Sequence, residues 1–366
     1  MARTELISSI STYELLPLLD GAESPYMLDV RETDEVADWK IPGVHNIPLG
    51  LLEQRVDEVP RDERLVVICA AGTRARQGAE ILAHHDIASD VLEGGMGAWA
   101  STYDEVEGTF GGATVVQLRR RGKGCLSYVV GGDTNAVVID PSREIGQYLD
   151  VAAHHGWTIT HVLDTHLHAD HISGARELVA ESGAALWLNP ADPFEFEFEP
   201  LIDGKSIELR PGVDLTVSSV SVPGHTEGST MYQLGEQAIF TGDTLFLESV
   251  GRPDLADQAE AFAHHLYASL HQRVLPLSDE ISVFPAHFGP SVTVHAHEFV
   301  ARDLGSLRHE LAALALPEDD FVAWAVANVK DRPGNYKQIV LINAGQTDLD
   351  VNDEDLEMGP NRCAIA

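Results

Sequence analysis

The chain has 366 residues, which suits two domains by the prior of about 150 residues each, and its Asp and Glu outnumber Lys and Arg 58 to 24, a formal net charge of -34. That charge argues against nucleic acid as a partner, and because such self-repulsion is tolerated where concentrated salt screens it, the balance reads as halophilic. No run of about 18 apolar residues occurs, the opening Met1-Ala2-Arg3-Thr4-Glu5 lacks the layout of a secretory leader, and three scattered cysteines (69, 125 and 363) argue against a disulfide framework, so a cytoplasmic protein with no membrane partner is expected.

In chain order, apolar runs at 26–30, 65–69 and 91–92 alternate with a helix-like stretch at 75–84, a pattern that predicts a parallel α/β sheet flanked by helices over residues 1–107. Residues 103–112 turn polar, with glycines at 108, 111 and 112, and read as a linker. A second domain over 113–345 follows. It opens with apolar strands at 115–118, 126–130 and 136–139, a helix at 144–155 and an apolar strand from Ile159, and continues with alternating strands and helices to about Val340. Residues 346–366 form an acidic tail, dense in acid over 348–357 and expected to be solvated. Pro360 to Cys363 carries no expectation, and Cys125, at the head of a strand, reads as a buried structural residue.

The first chemical site is Cys69. It ends an apolar strand and is followed by Ala70-Ala71-Gly72-Thr73-Arg74 and then a helix. Backbone N–H groups and the positive end of that helix favour a thiolate, Gly72 permits the tight curl, and Arg74 adds positive charge. A lone strand-end cysteine is usually a small buried hydrophobe. The loop that follows this one weighs against that reading.

The second site begins after the Ile159 strand. Thr165-His166-Leu167-His168-Ala169-Asp170-His171 sets four ligand-capable side chains within six residues, on a loop at a strand end. Val222-Pro223-Gly224-His225, Phe240-Thr241-Gly242-Asp243 and Phe284-Pro285-Ala286-His287 each repeat the arrangement of a strand followed by a ligand, which fits a metal pocket assembled along one edge of a sheet sandwich. His154, His155, His264 and His265 fall on helices and are expected to face solvent.

The loop from Cys69 to Arg74 resembles that of rhodanese sulfurtransferases, together with Leu28-Asp29-Val30-Arg31-Glu32, Ile41-Pro42-Gly43-Val44, Asn46-Ile47-Pro48, and Leu92-Glu93-Gly94-Gly95-Met96 with Trp99. The resemblance implies a Cys69 persulfide cradled by the amides of residues 70–74. Ala70 and Ala71 depart from the polar or basic residues common there, and Trp39-Lys40 replaces a usual Gly-His. Residues 113 to about 300 resemble the metallo-β-lactamase superfamily, so the expected fold is an α/β rhodanese domain followed by an αββα metallo-β-lactamase sandwich. Gly251-Arg252-Pro253-Asp254 and Pro333-Gly334-Asn335-Tyr336-Lys337 are similar to the persulfide dioxygenase branch, with glyoxalase II as its hydrolytic cousin. Phe288 stands where Asp is common.

In the dioxygenase branch the resemblance implies one Fe(II) on His166, His225 and Asp243, with His168, Asp170, His171 and His287 around it, and Arg252, Tyr336 and Lys337 as contacts for a low-molecular-weight thiol persulfide. Its reaction joins the persulfide with O2 to give sulfite, and the rhodanese domain would move sulfane sulfur, with sulfite or thiosulfate as partner. The alternative is a thioester hydrolase with two zinc ions, with His168, Asp170, His171 and His287 as the further ligands. A third reading leaves Cys69 as a persulfide sensor only. The sequence leaves a homodimer open.

Overall fold

In the computed structural model, residues 6–21, 24–210, 216–255, 258–329, 332, 334–350 and 356–365 are described. The first domain is a five-stranded parallel sheet in the spatial order Ile7–Ile10, Ser89–Leu92, Leu65–Ile68, Tyr26–Asp29, His45–Asn46. Its central strand Leu65–Ile68 is buried at every position, because helices cover both faces of a parallel sheet and leave no side for polar residues. Two apolar clusters lie on its two faces, one around Leu28, Val67 and Leu82, the other around Ile10, Val66 and Trp99.

The second domain packs two sheets face to face. The seven-stranded sheet runs Glu199–Pro200, Ala185–Leu188, Thr158–Leu163, Asn135–Ile139, Cys125–Gly131, Ala113–Arg120, Tyr103–Phe110, and the six-stranded sheet Ser206–Glu208, Thr216–Ser221, Thr230–Leu234, Ala238–Gly242, Ser282–Pro285, Arg302–Asp303. Tyr128, Phe240 and Phe284 meet between them with ring centroids 4.8 to 5.7 Å apart, a separation suited to edge-on and offset aromatic packing. Helices Gly146–His155 and Ala175–Ser182 cover the outer face of the first sheet. No helix among the described residues is long and apolar enough to cross a membrane.

Two expectations need correction. The linker at 103–112 is an eight-residue strand, Tyr103–Phe110, paired antiparallel with Ala113–Arg120 along its length. Gly111 and Gly112, at φ of 59° and 89°, turn the hairpin, since both turn positions need left-handed backbone. The boundary expected at 107 therefore falls inside a strand. The acidic tail is not uniformly solvated either: Glu357 is 2% exposed, and its carboxylate takes Arg120 at 2.9 Å, Arg143 at 3.3 Å and the Ile172 N–H at 2.9 Å. The middle of that tail, 351–355, lies outside the described residues, as does Pro333.

The domains touch closely. Trp39 Nε1 donates to the Gly122 carbonyl at 2.9 Å, Arg120 Nε to the Ala100 carbonyl at 2.6 Å, and Arg121 pairs with Asp20 at 2.9 Å and Asp104 at 2.7 Å. A Cβ on Gly122 would lie 2.2 Å from the Trp99 carbonyl oxygen, so only glycine permits this approach.

Candidate metal centre and cysteine loop

Cys69 lies at the C-terminal end of the central strand and is 1% exposed. The Gly72 N–H donates to its sulfur at 3.1 Å. Gly72 has φ +96° and precedes helix Thr73–His84, so the curl that aims its amide at the sulfur requires glycine. Met96 and Gly97 N–H groups hold the Cys69 and Ala70 carbonyls at 2.9 and 3.0 Å. Arg74 does not aim its donors at the sulfur. Its guanidinium pairs with Glu35 through two bonds of 2.7 and 2.8 Å, which holds the Glu35 carboxyl down at about 2.

In the second domain, strand ends deliver the ligands. Thr158–Leu163 leads to His166, Thr216–Ser221 to His225, Ala238–Gly242 to Asp243, and Ser282–Pro285 to His287. His166 Nε2, His225 Nε2 and Asp243 Oδ2 are buried, have no hydrogen-bond partner, and lie within 4.8 Å of one another. Asp243 Oδ2 is 3.6 Å from His166 Nε2 and 3.4 Å from His225 Nε2. Three unsatisfied buried atoms in this array are costly unless an ion joins them, and their spacing suits bonds of about 2.1 Å to one metal. The residues therefore fit the metal that this donor set calls for.

The rings are set by their other nitrogens. His225 Nδ1 lies 2.9 Å from the Arg252 carbonyl, an acceptor only, so Nδ1 carries the proton and Nε2 presents its lone pair. His166 Nδ1 donates to Thr165 Oγ1 at 2.9 Å, and that hydroxyl donates to Asp140 at 2.9 Å. Burial holds both imidazoles below their ordinary titration, neutral as ligands must be. Asp243 goes the other way: burial would raise it, but the charge on His287 and the hydrogen bond from that ring outweigh burial and keep it ionised.

A second cluster sits beside the first. Cys125, Asp170, His171 and His287 bring one ligand atom each within 4.8 Å of the others. His287 Nδ1 hydrogen-bonds Asp243 at 2.6 Å, and its Nε2 is 2.8 Å from Asp170 Oδ2, an ion-pair contact off the hydrogen-bond direction. Burial opposes a charge on that ring, but the two flanking carboxylates override it and push His287 well above its ordinary value. His168 belongs to neither of these clusters. Its Nε2 lies 3.1 Å from Asp140, its buried Nδ1 has no hydrogen-bond partner, and it groups with Asp140 and Asp164 in a third set of possible ligands.

Sequence reasoning missed several residues. Cys125, read as structural, is in the second cluster, where burial and Asp170 raise its thiol but His171 and His287 prevail and bring it to about 7. Cys363 lies within 4.8 Å of Asp243 and His287. It is held there because the Arg252 N–H donates to its carbonyl at 3.0 Å and Ile365 pairs with Val250. Asn343 donates to the His168 and His171 carbonyls at 2.9 and 2.8 Å and accepts from Ser173 at 3.0 Å. Asp192 ties the His166 loop to the His225 loop by accepting from Leu167, Thr226 and Gly228. Each is one polar residue with no local pattern; an Asn closing an apolar helix was the only visible signal.

Arg252 needs correcting as a substrate contact. It is 2% exposed, and its guanidinium is held by Asp254 at 2.7 and 3.0 Å and by the Arg362 carbonyl at 3.0 Å. Its work is to fix the loop whose carbonyl orients His225. Tyr336 is half-buried and its hydroxyl accepts from Arg332 at 2.7 Å, while Lys337 is exposed.

Comparison with known proteins agrees with this architecture. Residues 120–287 match the profile of the metallo-beta-lactamase superfamily, and residues 11–102 that of the rhodanese-like domain. The chain is 32% identical over 148 residues to a hydroxyacylglutathione hydrolase of Methylobacillus flagellatus, covering 40% of this chain and only 56% of that relative's length. It is 32% identical over 199 residues to the Mycobacterium leprae protein ML0493, covering 47% of this chain and 89% of the other. The structure of ETHE1 from Myxococcus xanthus superposes with a TM-score of 0.55 at 26% identity, over 63% of this chain and 97% of that one.

Proposed function

We propose that this chain, a member of the metallo-beta-lactamase superfamily with a rhodanese-like domain ahead of the metal-binding one, is an iron-dependent persulfide dioxygenase that also moves sulfane sulfur through Cys69. The reaction takes a low-molecular-weight thiol persulfide, O2 and water to thiol, sulfite and two protons. One observation carries the mononuclear reading. His287 stands between Asp243 and Asp170, 2.6 and 2.8 Å from their carboxylates, and so occupies the gap where a second cation would otherwise sit. The likeness to ETHE1 over nearly its whole length and the presence of a sulfur-handling domain support the same reading.

An iron(II) held by two neutral imidazoles and one carboxylate would supply redox chemistry, which zinc cannot. The chain's own residues keep that donor set in place. Arg252 fixes the His225 tautomer through its carbonyl, Thr165 and Asp140 fix His166, and Asn343 and Asp192 hold the loops. At the other site the Gly72 N–H donates to the Cys69 sulfur that would carry a persulfide.

A binuclear zinc hydrolase is the second reading. It is favoured by the cluster of Cys125, Asp170, His171 and His287 and by the hydroxyacylglutathione hydrolase likeness, and it requires His287 to give up its contact with Asp170. Metal analysis on protein purified without oxygen in high salt, paired with oxygen uptake on adding a thiol persulfide, separates the two. About one iron per chain with uptake supports the dioxygenase; two zinc ions with no uptake overturn it.

A further inference from the structure

We propose that the cleft between the two domains binds a small sulfur oxoanion, sulfite or thiosulfate, beside the ligand cluster of the second domain. The inference rests on the sulfur chemistry proposed above and adds a binding site to it.

The cleft has a volume of about 340 Å³, with Trp39, Lys40 and Trp99 on its first-domain wall and Lys123, Phe288 and Asn361 on the other. The chain's lysines are at 40, 123, 205, 330 and 337, and two of these five line this one cleft. Lys123 is 4% exposed, and among the described residues no hydrogen-bond or ion-pair partner meets its ammonium. Its ammonium keeps contact with solvent at the cleft and, among the described residues, has no counter-charge there. Arg121, also on the wall, is already paired with Asp20 and Asp104. A chain at -34 repels anions over most of its surface, so two uncommitted lysines lining one cleft mark where an anion dwells.

The second-domain wall adjoins the ligand cluster, while no residue of the Cys69 loop lines the cleft. Asn361 donates to Asp170 at 3.3 Å, and Gly124 and Phe288 flank Cys125 and His287, which form a β-bridge. On the other side, Trp39 ends helix Thr33–Asp38, whose Glu35 holds Arg74 of the Cys69 loop. The transfer served is balanced without an added oxidant. Sulfite sulfur bonds the outer sulfur of the Cys69 persulfide, the Cys69 S–S bond breaks, its electron pair returns to Cys69 as thiolate, and thiosulfate leaves. Reactant and product are both dianions that the lysines can hold.

The test is isothermal titration of thiosulfate into the full-length Cys69→Ser chain at constant ionic strength, the serine removing any reaction at Cys69. One saturable site is expected, weakened about tenfold or more in Lys123→Met, as for loss of one charge-assisted hydrogen bond, and restored in Lys123→Arg. Equal affinity in Lys123→Met and the parent, or no saturable binding, overturns the proposal. If Lys123→Met does not fold, Lys40→Met, at an exposed position, carries the same comparison. Persulfide-dependent oxygen uptake on the parent chain separates the two ideas: lysine-dependent binding without uptake removes the dioxygenase and keeps the cleft, and uptake without lysine-dependent binding does the reverse.

Discussion

Glu357 meets Arg120 at 2.9 Å with both side chains buried, although the two lie 237 positions apart. The pair joins the acidic tail to the strand that enters the second domain, and Ile172 beside the metal loop shares the same carboxylate. Removing one member of a buried pair strands the other, at a cost of about 3 to 5 kcal/mol. Glu357→Ala is therefore expected to lower the urea midpoint strongly, and Arg120→Met with Glu357→Met to recover much of the loss. A Glu357→Ala chain as stable as the parent would refute the anchor.

Arg252→Lys separates a positioning role from substrate recognition. The lysine cannot reproduce the two-pronged pairing with Asp254 or the bond to the Arg362 carbonyl. Expected are a stability loss of about 2 kcal/mol and weaker metal retention. A rise in KM alone, with metal content and unfolding midpoint unchanged, would return Arg252 to the substrate.

Asn343→Ala leaves the His168 and His171 carbonyls and the Ser173 N–H without their partner. Loss of such outer support lowers metal affinity by about 10 to 100-fold. Competition with a metal chelator, followed by metal analysis, reads this directly.

The Glu35–Arg74 pair gives a pH signature. Glu35 titrates at about 2 rather than its ordinary 4.5, so its contribution is present above pH 4.5 and disappears as pH falls toward 2. The pair is about a third exposed, which limits it to roughly 1 kcal/mol or less. The stability difference between the parent and Glu35→Gln should shrink across that window, and a gap that stays constant from pH 6 to pH 3 would contradict the pairing.

The charge of -34 makes salt a stabiliser. Screening shortens from about 10 Å at 0.1 M to about 3 Å at 1 M, weakening the repulsion that folding must overcome. The melting temperature should rise from dilute buffer to molar KCl; a fall would reject the halophilic reading.

Much of the fold was legible because burial leaves a plain trace. Leu65–Ile68 had to be a central strand once four apolar residues ran together, and His166, His225, Asp243 and His287 stood out because each follows such a run. Tyr103–Phe110 was hidden because an edge strand turns most of its side chains to water, and its hairpin glycines look like those of a linker. Glu357 was counted with its acidic neighbours since composition cannot tell a buried carboxylate from a solvated one. Cys363, Asn343 and Asp192 act through contacts between distant segments, and no spacing rule reports those.

The bridge of Ala364 to Gly251, with Cys363 set against Asp243 and His287, has a consequence for how the protein is made. The ligands from His166 to His287 leave the ribosome well before the segment that closes over them. The first domain has its whole sheet by residue 92 and can fold during synthesis, while the metal pocket gains its last wall only when residue 363 has emerged. The chain emerges in that order, so the Cys69 loop can be housed before the pocket of His166, His225 and Asp243 gains this wall.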